Sequence, residues 1–135
     1  MKVLVDTPIW SYALRSHNQD FQVETNTLSA LIRDQRAMII GPIRQEILSG
    51  YSDLRKLEIL RDQLAAFANT PILDSDYELA AEYNNFCRKN GVQGSHTDFL
   101  ICAVAIRHDA PIFTSDKDFE NYLKIIPIRL FFPHS

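Results

Sequence analysis

The feature that most constrains the fold is an unbroken apolar run, Phe99 to Ile106, entered through the polar residues Ser95, His96, Thr97 and Asp98. A helix lying on a surface would interrupt such a run with polar residues every third or fourth place. This one does not, so it reads as an element buried nearly all round. Periodicity alone leaves a buried strand open as well as a buried helix. Alanine at 103 and 105, and the cap signal ahead of the run, favour helix. Ser95 and Asp98 have the spacing of a capping box, with Asp in place of the usual Glu or Gln.

A chain of 135 residues suits one domain, spanning 1–135, with one hydrophobic core. An apolar fraction of 46% and a charged fraction of 23% belong to an ordinary soluble globular protein. The apolar start Val3-Leu4-Val5 is broken at once by Asp6, so no signal peptide is expected. No apolar stretch approaches bilayer-spanning length, which argues against a membrane partner. Cys87 and Cys102 fall in expected helices, without a second thiol or close histidine at metal-ligand spacing. They read as buried free thiols in a reducing cytoplasm. The net charge of −3 excludes a general basic surface, so a nucleic-acid partner would need a local basic strip, a metal, or both.

In chain order, Lys2–Val5 reads as a central strand and Asp6-Thr7-Pro8 as a turn into a helix over Ile9–Leu14. Leu28, Leu31 and Ile32 give helical spacing within 21–36, and Ala37–Ile40 reads as a second strand. Pro42 opens a short helix with Ile43 and Ile47 on one face, broken at Gly50. Leu54, Leu57, Leu60 and Leu64 mark a helix over 53–68, and 71–73 is a brief strand or an extended link. Asp74–Lys89 reads as a helix capped by Ser75 or Asp76 and ended near Asn90-Gly91. Ile112-Phe113 is a short strand, followed by a cap-rich turn and a brief helix through Tyr122. Ile125–Leu130 is expected as a last strand, at an edge because Pro127 cannot donate to a ladder. Strands alternating with helices mean an α/β layered domain with a parallel sheet.

The acids then fall into a pattern. Asp6 follows the first strand, Asp116 follows the strand at Ile112, Glu46 sits in the helix after the Met38 strand, and Asp98 opens the buried helix. Ligands of open parallel sheets bind along the rim made by the carboxyl ends of the strands. Taken singly, each acid has a purely structural role available: Asp6, Asp98 and Asp116 as helix caps, Glu46 as a solvated helix residue. Together on one rim they repel, and such a group needs a cation or bound protons. Hard oxygen ligands without thiolate or imidazole select Mg²⁺ or Mn²⁺ over zinc. The matching chemistry is metal-assisted hydrolysis of a phosphodiester.

The run Val3-Leu4-Val5-Asp6, Glu46 after a strand, Thr97-Asp98 opening a buried helix, and Phe113-Thr114-Ser115-Asp116 followed by Phe119 together resemble the PIN-domain ribonucleases. Size and motif order resemble the VapC-type toxins of toxin–antitoxin pairs. The resemblance implies a three-layer α/β sandwich with a mostly parallel sheet of four to five strands. It implies that Asp6, Glu46, Asp98 and Asp116 hold Mg²⁺ or Mn²⁺, with Thr114 supporting near Asp6, Asp118 a weaker member and Thr7 a minor one. It further implies a homodimer, a cognate antitoxin protein, and cleavage of structured cellular RNA such as tRNA or rRNA. His96-Thr97 departs from the family, where small or apolar residues are commoner; the histidine either meets substrate or is merely exposed.

Contacts to RNA phosphates would come from among Arg15, Arg44, Arg88, Lys89 and Lys117, with Trp10 and Tyr12 as candidate stacking rings. Leu54, Leu57, Leu60 and Leu64 would serve the core, the antitoxin or a second copy. Two rivals stand beside the nuclease. A phosphoacceptor domain would need an acidic pair after the first strand, where Thr7-Pro8 stands instead. A non-catalytic RNA- or protein-binding module of the same fold would bind no divalent metal.

Overall fold

The computed structural model describes residues 1–15 and 19–133. Its centre is a parallel sheet of β1 (Val3–Val5), β2 (Ala37–Met38) and β3 (Ile112–Phe113), in the order β2-β1-β3. All three residues of β1 are fully buried, as expected of a central parallel strand covered on both faces. In place of a fourth strand there is one isolated parallel bridge, Ile112 to Leu130. This corrects the expected sheet of four to five strands and the last strand over Ile125–Leu130. The reason is local: the Ile128 N–H donates back to the Ile126 carbonyl at 2.9 Å, closing a γ-turn around Pro127. The chain is extended only long enough for Ile112 to bond Arg129 and Phe131. Its position beyond β3 is nonetheless the expected edge.

The helices are α1 (Thr7–Leu14), α2 (Gln22–Arg33), α3 (Gly41–Ser49), α4 (Leu54–Leu64), α5 (Asp74–Lys89), α6 (His96–Arg107) and α7 (Asp118–Leu123), with a 3₁₀ turn at Gln19–Phe21. Helix α6 is the apolar run. Every residue from Phe99 to Ala105 is buried, so the element is a helix enclosed on all sides. It packs on β1 and β3, with α5 alongside it; α2 packs on β2 and on α1. Each large side chain buried this way contributes about 1.5–3 kcal/mol, which makes α6 the chief anchor of the sheet.

Three element ends differ from expectation for traceable reasons. Strand β2 stops at Met38 because the Ile39 carbonyl takes the Thr70 N–H and Ile40 already caps α3. Helix α4 stops at Leu64, short of Ala68, because the Arg44 guanidinium takes the carbonyls of Leu64 and Phe67. The cap of α5 is Leu73 rather than Ser75 or Asp76; the Asp76 carboxylate instead accepts from the Leu73 N–H at 2.9 Å. The segment 71–73 is a link, not a strand.

Candidate active site

Parallel register sets the first pair of site residues side by side. Val5 is matched with Phe113, so the next residues, Asp6 and Thr114, leave the sheet together at its carboxyl edge. The Asp6 N–H still bonds the Phe113 carbonyl at 2.9 Å. Asp6 is 5% exposed and caps α1. Its carboxylate accepts from the Thr7 N–H at 2.8 Å and from the Thr114 hydroxyl at 2.8 Å. That hydroxyl in turn accepts from the Asp116 N–H at 3.0 Å, tying the two acids through one threonine.

Helix α6 begins at the same edge. Ser95 Oγ accepts from the Asp98 N–H at 3.0 Å, which makes the first half of the expected capping box. The return half is absent, because Asp98 Oδ2 accepts from the Tyr122 hydroxyl at 2.7 Å. The Asp118 N–H bonds Asp116 Oδ1 at 2.9 Å, turning the chain so that α7 starts beside both acids. Asp98, Asp116 and Asp118 each offer an oxygen, and these oxygens all lie within 4.8 Å of one another. Asp6 and Glu46 both stand outside that tight group; Glu46, on α3, accepts from the Thr7 hydroxyl at 3.3 Å. Glu46 and Thr7 line a cleft of about 510 Å³ with Thr97 and Gln45. Asp118, the weaker member on sequence grounds, thus sits closer within the group than Glu46 does.

The electrostatics show how costly the arrangement is. Burial pushes the Asp6 carboxyl from 3.8 up to about 6; the bonds from Thr114 and Thr7 pull down, and the charges of Asp98 and Glu46 push up. Asp98 is raised by burial, then relieved by Tyr122 and Ser95, then raised again by Asp116 and Asp118. Glu46 is raised by desolvation and by Asp98. The ion pairs Arg107–Asp76 and Arg129–Asp109 involve none of these five acids. A set of carboxylate oxygens without thiolate, imidazole or a basic partner among the described residues fits a hard divalent cation. Cys102, one turn beyond Asp98, is wholly buried and its thiol is pushed well up by burial, so it offers no thiolate.

A pH dependence follows. With no cation bound, the folded chain holds a proton on Asp6 that the unfolded chain releases at lower pH, so stability is lost as pH rises from about 4 through about 6. Asp6 alone accounts for a loss on the order of 2–3 kcal/mol, and Asp98 and Glu46 shift the same way. Urea denaturation in chelator is expected to show this fall, and Asp6→Asn to flatten it.

Several other candidates take structural roles. Arg44 is committed to Asn69 and to the carbonyls of Leu64 and Phe67, which removes it from the phosphate contacts. Trp10 is buried, donates to the Val5 carbonyl at 3.0 Å and meets Phe67 edge-on, so it presents no stacking face. The Tyr12 ring lies flat on Phe21 at 3.6 Å, and its hydroxyl bonds Ser115. Leu60 and Leu64 are core, Leu54 is exposed, and Leu57 lines a groove between α3 and α4. Arg15, Arg88, Lys89, Lys117 and His96 are exposed. Cys87 and Cys102 are buried and free, as expected.

Comparison with known proteins bears on the family and the fold. The PIN domain matches residues 3–124. Ribonuclease VapC11 of Mycobacterium tuberculosis is 32% identical over 129 residues, which cover 94% of this chain and 96% of that protein. The solved structure of FitAcB from Neisseria gonorrhoeae is similar with a TM-score of 0.78 at 20% identity, over 97% of both chains. A toxin–antitoxin complex from Klebsiella pneumoniae is similar with a TM-score of 0.65 at 20% identity, over 87% of this chain and 90% of that one. At that identity the two structures speak for the fold alone. The sequence match runs from β1 through α7, the same span over which the acids gather at the sheet edge: the chain belongs to the PIN-domain family.

Proposed function

We propose that the chain is an endoribonuclease that hydrolyses phosphodiester bonds in structured cellular RNA such as tRNA or rRNA, and acts as the toxin of a toxin–antitoxin pair. The observation that carries this is the group of acids at the carboxyl edge of the sheet, close together and, among the described residues, without an ion-pair partner. The relative VapC11, named a ribonuclease, supports the activity. The similarity to a toxin–antitoxin complex supports a cognate antitoxin as partner.

Asp98 and Asp116, with Asp6 behind them and Glu46 at the rim, would hold Mg²⁺ or Mn²⁺, and Asp118 stands within reach. Such an ion, when bound, supplies an activated water and charge neutralisation at the phosphate. The rest belongs to the chain's own groups. Thr114 fixes Asp6 and the backbone at Asp116 with one hydroxyl, so the two acids keep a constant separation. Glu46, raised by desolvation and by Asp98, is suited to take the proton from an attacking water. Lys117, exposed between Asp116 and Asp118, would be available to a substrate phosphate. Buried reduced thiols suit the cytoplasm, where the RNA is. The family resemblance extends the proposal to a homodimer in which each 135-residue chain is one nuclease domain.

The test is cleavage of RNA by the purified chain with Mg²⁺ or Mn²⁺, beside Asp98→Asn and a chelator control. Cleavage by the parent alone supports a nuclease. A parent that neither cuts RNA nor binds metal returns the chain to the class of binding modules.

A further inference from the structure

The Asp98 carboxylate faces the acid cluster with one oxygen already engaged. Tyr122, on α7, donates its hydroxyl to Oδ2 at 2.7 Å, and the Ser95 side chain also stands close to the carboxylate. The phenol is itself immobilised. Tyr122 is fully buried, with its ring 5.0 Å from Phe99 and 5.2 Å, edge-on, from Phe119. Room for it is made by Gly94, just ahead of α6. A Cβ at that position would lie 2.7 Å from the Tyr122 Cζ and 2.8 Å from Cε1, inside van der Waals contact. Glycine is therefore required where the chain passes over the phenol, and the phenol in turn fixes the carboxylate.

We propose that Tyr122 is a positioning residue that restricts Asp98 to single-oxygen coordination and so favours a small octahedral cation over Ca²⁺. The proposal rests on Asp98 being a metal ligand, as argued above. Mg²⁺ and Mn²⁺ accept one oxygen from each carboxylate in a tight octahedron, whereas Ca²⁺ takes six to eight oxygens and often a bidentate carboxylate. With Oδ2 oriented by a buried hydroxyl, Oδ1 is the freer oxygen for a cation, and the carboxylate plane is held in one direction. Groups that orient a ligand in this way typically change metal affinity by about 10–100-fold when removed.

The test is calorimetric titration of the full chain with Mn²⁺ and, separately, with Ca²⁺, for the parent, Tyr122→Phe and Asp98→Asn. Phenylalanine keeps the ring between Phe99 and Phe119, and a melt in chelator checks that the fold survives. The expected result for Tyr122→Phe is about tenfold weaker Mn²⁺ binding with Ca²⁺ binding unchanged or tighter, so the preference narrows. A purely structural role would weaken both ions alike. Equal weakening of both, or no change in either, overturns the role of Tyr122 while Asp98→Asn still abolishes binding. A parent that binds neither ion, or an Asp98→Asn variant that binds Mn²⁺ as the parent does, overturns the metal site itself and the Tyr122 role with it.

Discussion

Asp98→Asn and Asp6→Asn are each expected to lower RNA cleavage by at least about 10²–10³-fold while leaving the fold intact. At position 98 the amide keeps the size of the side chain and an oxygen for the Tyr122 hydroxyl. It also removes one negative charge that faces those of Asp116 and Asp118, so the metal-free variant should melt no lower than the parent. At position 6 an amide oxygen can still accept from the Thr7 N–H, while its NH₂ turns to the Thr114 hydroxyl, reversing that bond. Fold and function thus separate: what each substitution deletes is a charge that only a bound cation would need. The readout is gel cleavage of RNA in Mg²⁺ or Mn²⁺ beside circular dichroism. A well-folded variant that cuts at the parental rate would show that these acids only cap helices.

The second large effect concerns the support of the site. Arg107→Ala is expected to destabilise the chain, with a clear fall in the urea midpoint. Arg107, at the end of α6, donates to both Asp76 oxygens on α5, at 2.8 and 2.9 Å, and to the Pro71 carbonyl at 2.9 Å. Asp76 is 2% exposed. Without the guanidinium, its buried charge keeps only the Leu73 N–H. Loss of one partner strands the buried Asp76 charge, though the Arg107 side chain is 30% exposed and solvent screens part of the attraction. Burial would raise the Asp76 pKa, but the Arg107 and Leu73 bonds outweigh it and hold the value below normal. The folded value being depressed, this stabilisation is present above roughly pH 4 and lost as pH falls through the lower folded value. Urea denaturation should therefore show a penalty for Arg107→Ala that is largest at neutral pH and shrinks in acid.

Much of this architecture was legible in the sequence because it follows from local rules. An apolar run too long for an amphipathic face had to be buried, and α6 is. The limits of α5 are those expected, with Gly91 at φ 81° taking the left-handed turn after it. Asp6 and Asp116 share an edge because parallel strands end on one side, and Asp98 joins them because α6 begins there. What sequence could not supply were contacts between distant residues. Gln35 and Asp109 adopt positive φ after α2 and α6 without being glycine, held by bonds from the next residue back to Leu31 and Ala105. Arg44 looked free until the carbonyls of α4 were folded against it. Tyr122 carries no motif; Gly94 ahead of the buried helix was the one trace of the phenol lying beneath it.

The most direct measurement is an anomalous difference map from crystals of the chain soaked in Mn²⁺. A hard-cation site among these acids predicts a peak about 2.1 Å from single oxygens of Asp98 and Asp116. A map without a peak there, in crystals where Mn²⁺ occupies other positions, would contradict the assignment of these acids as a metal-dependent nuclease centre.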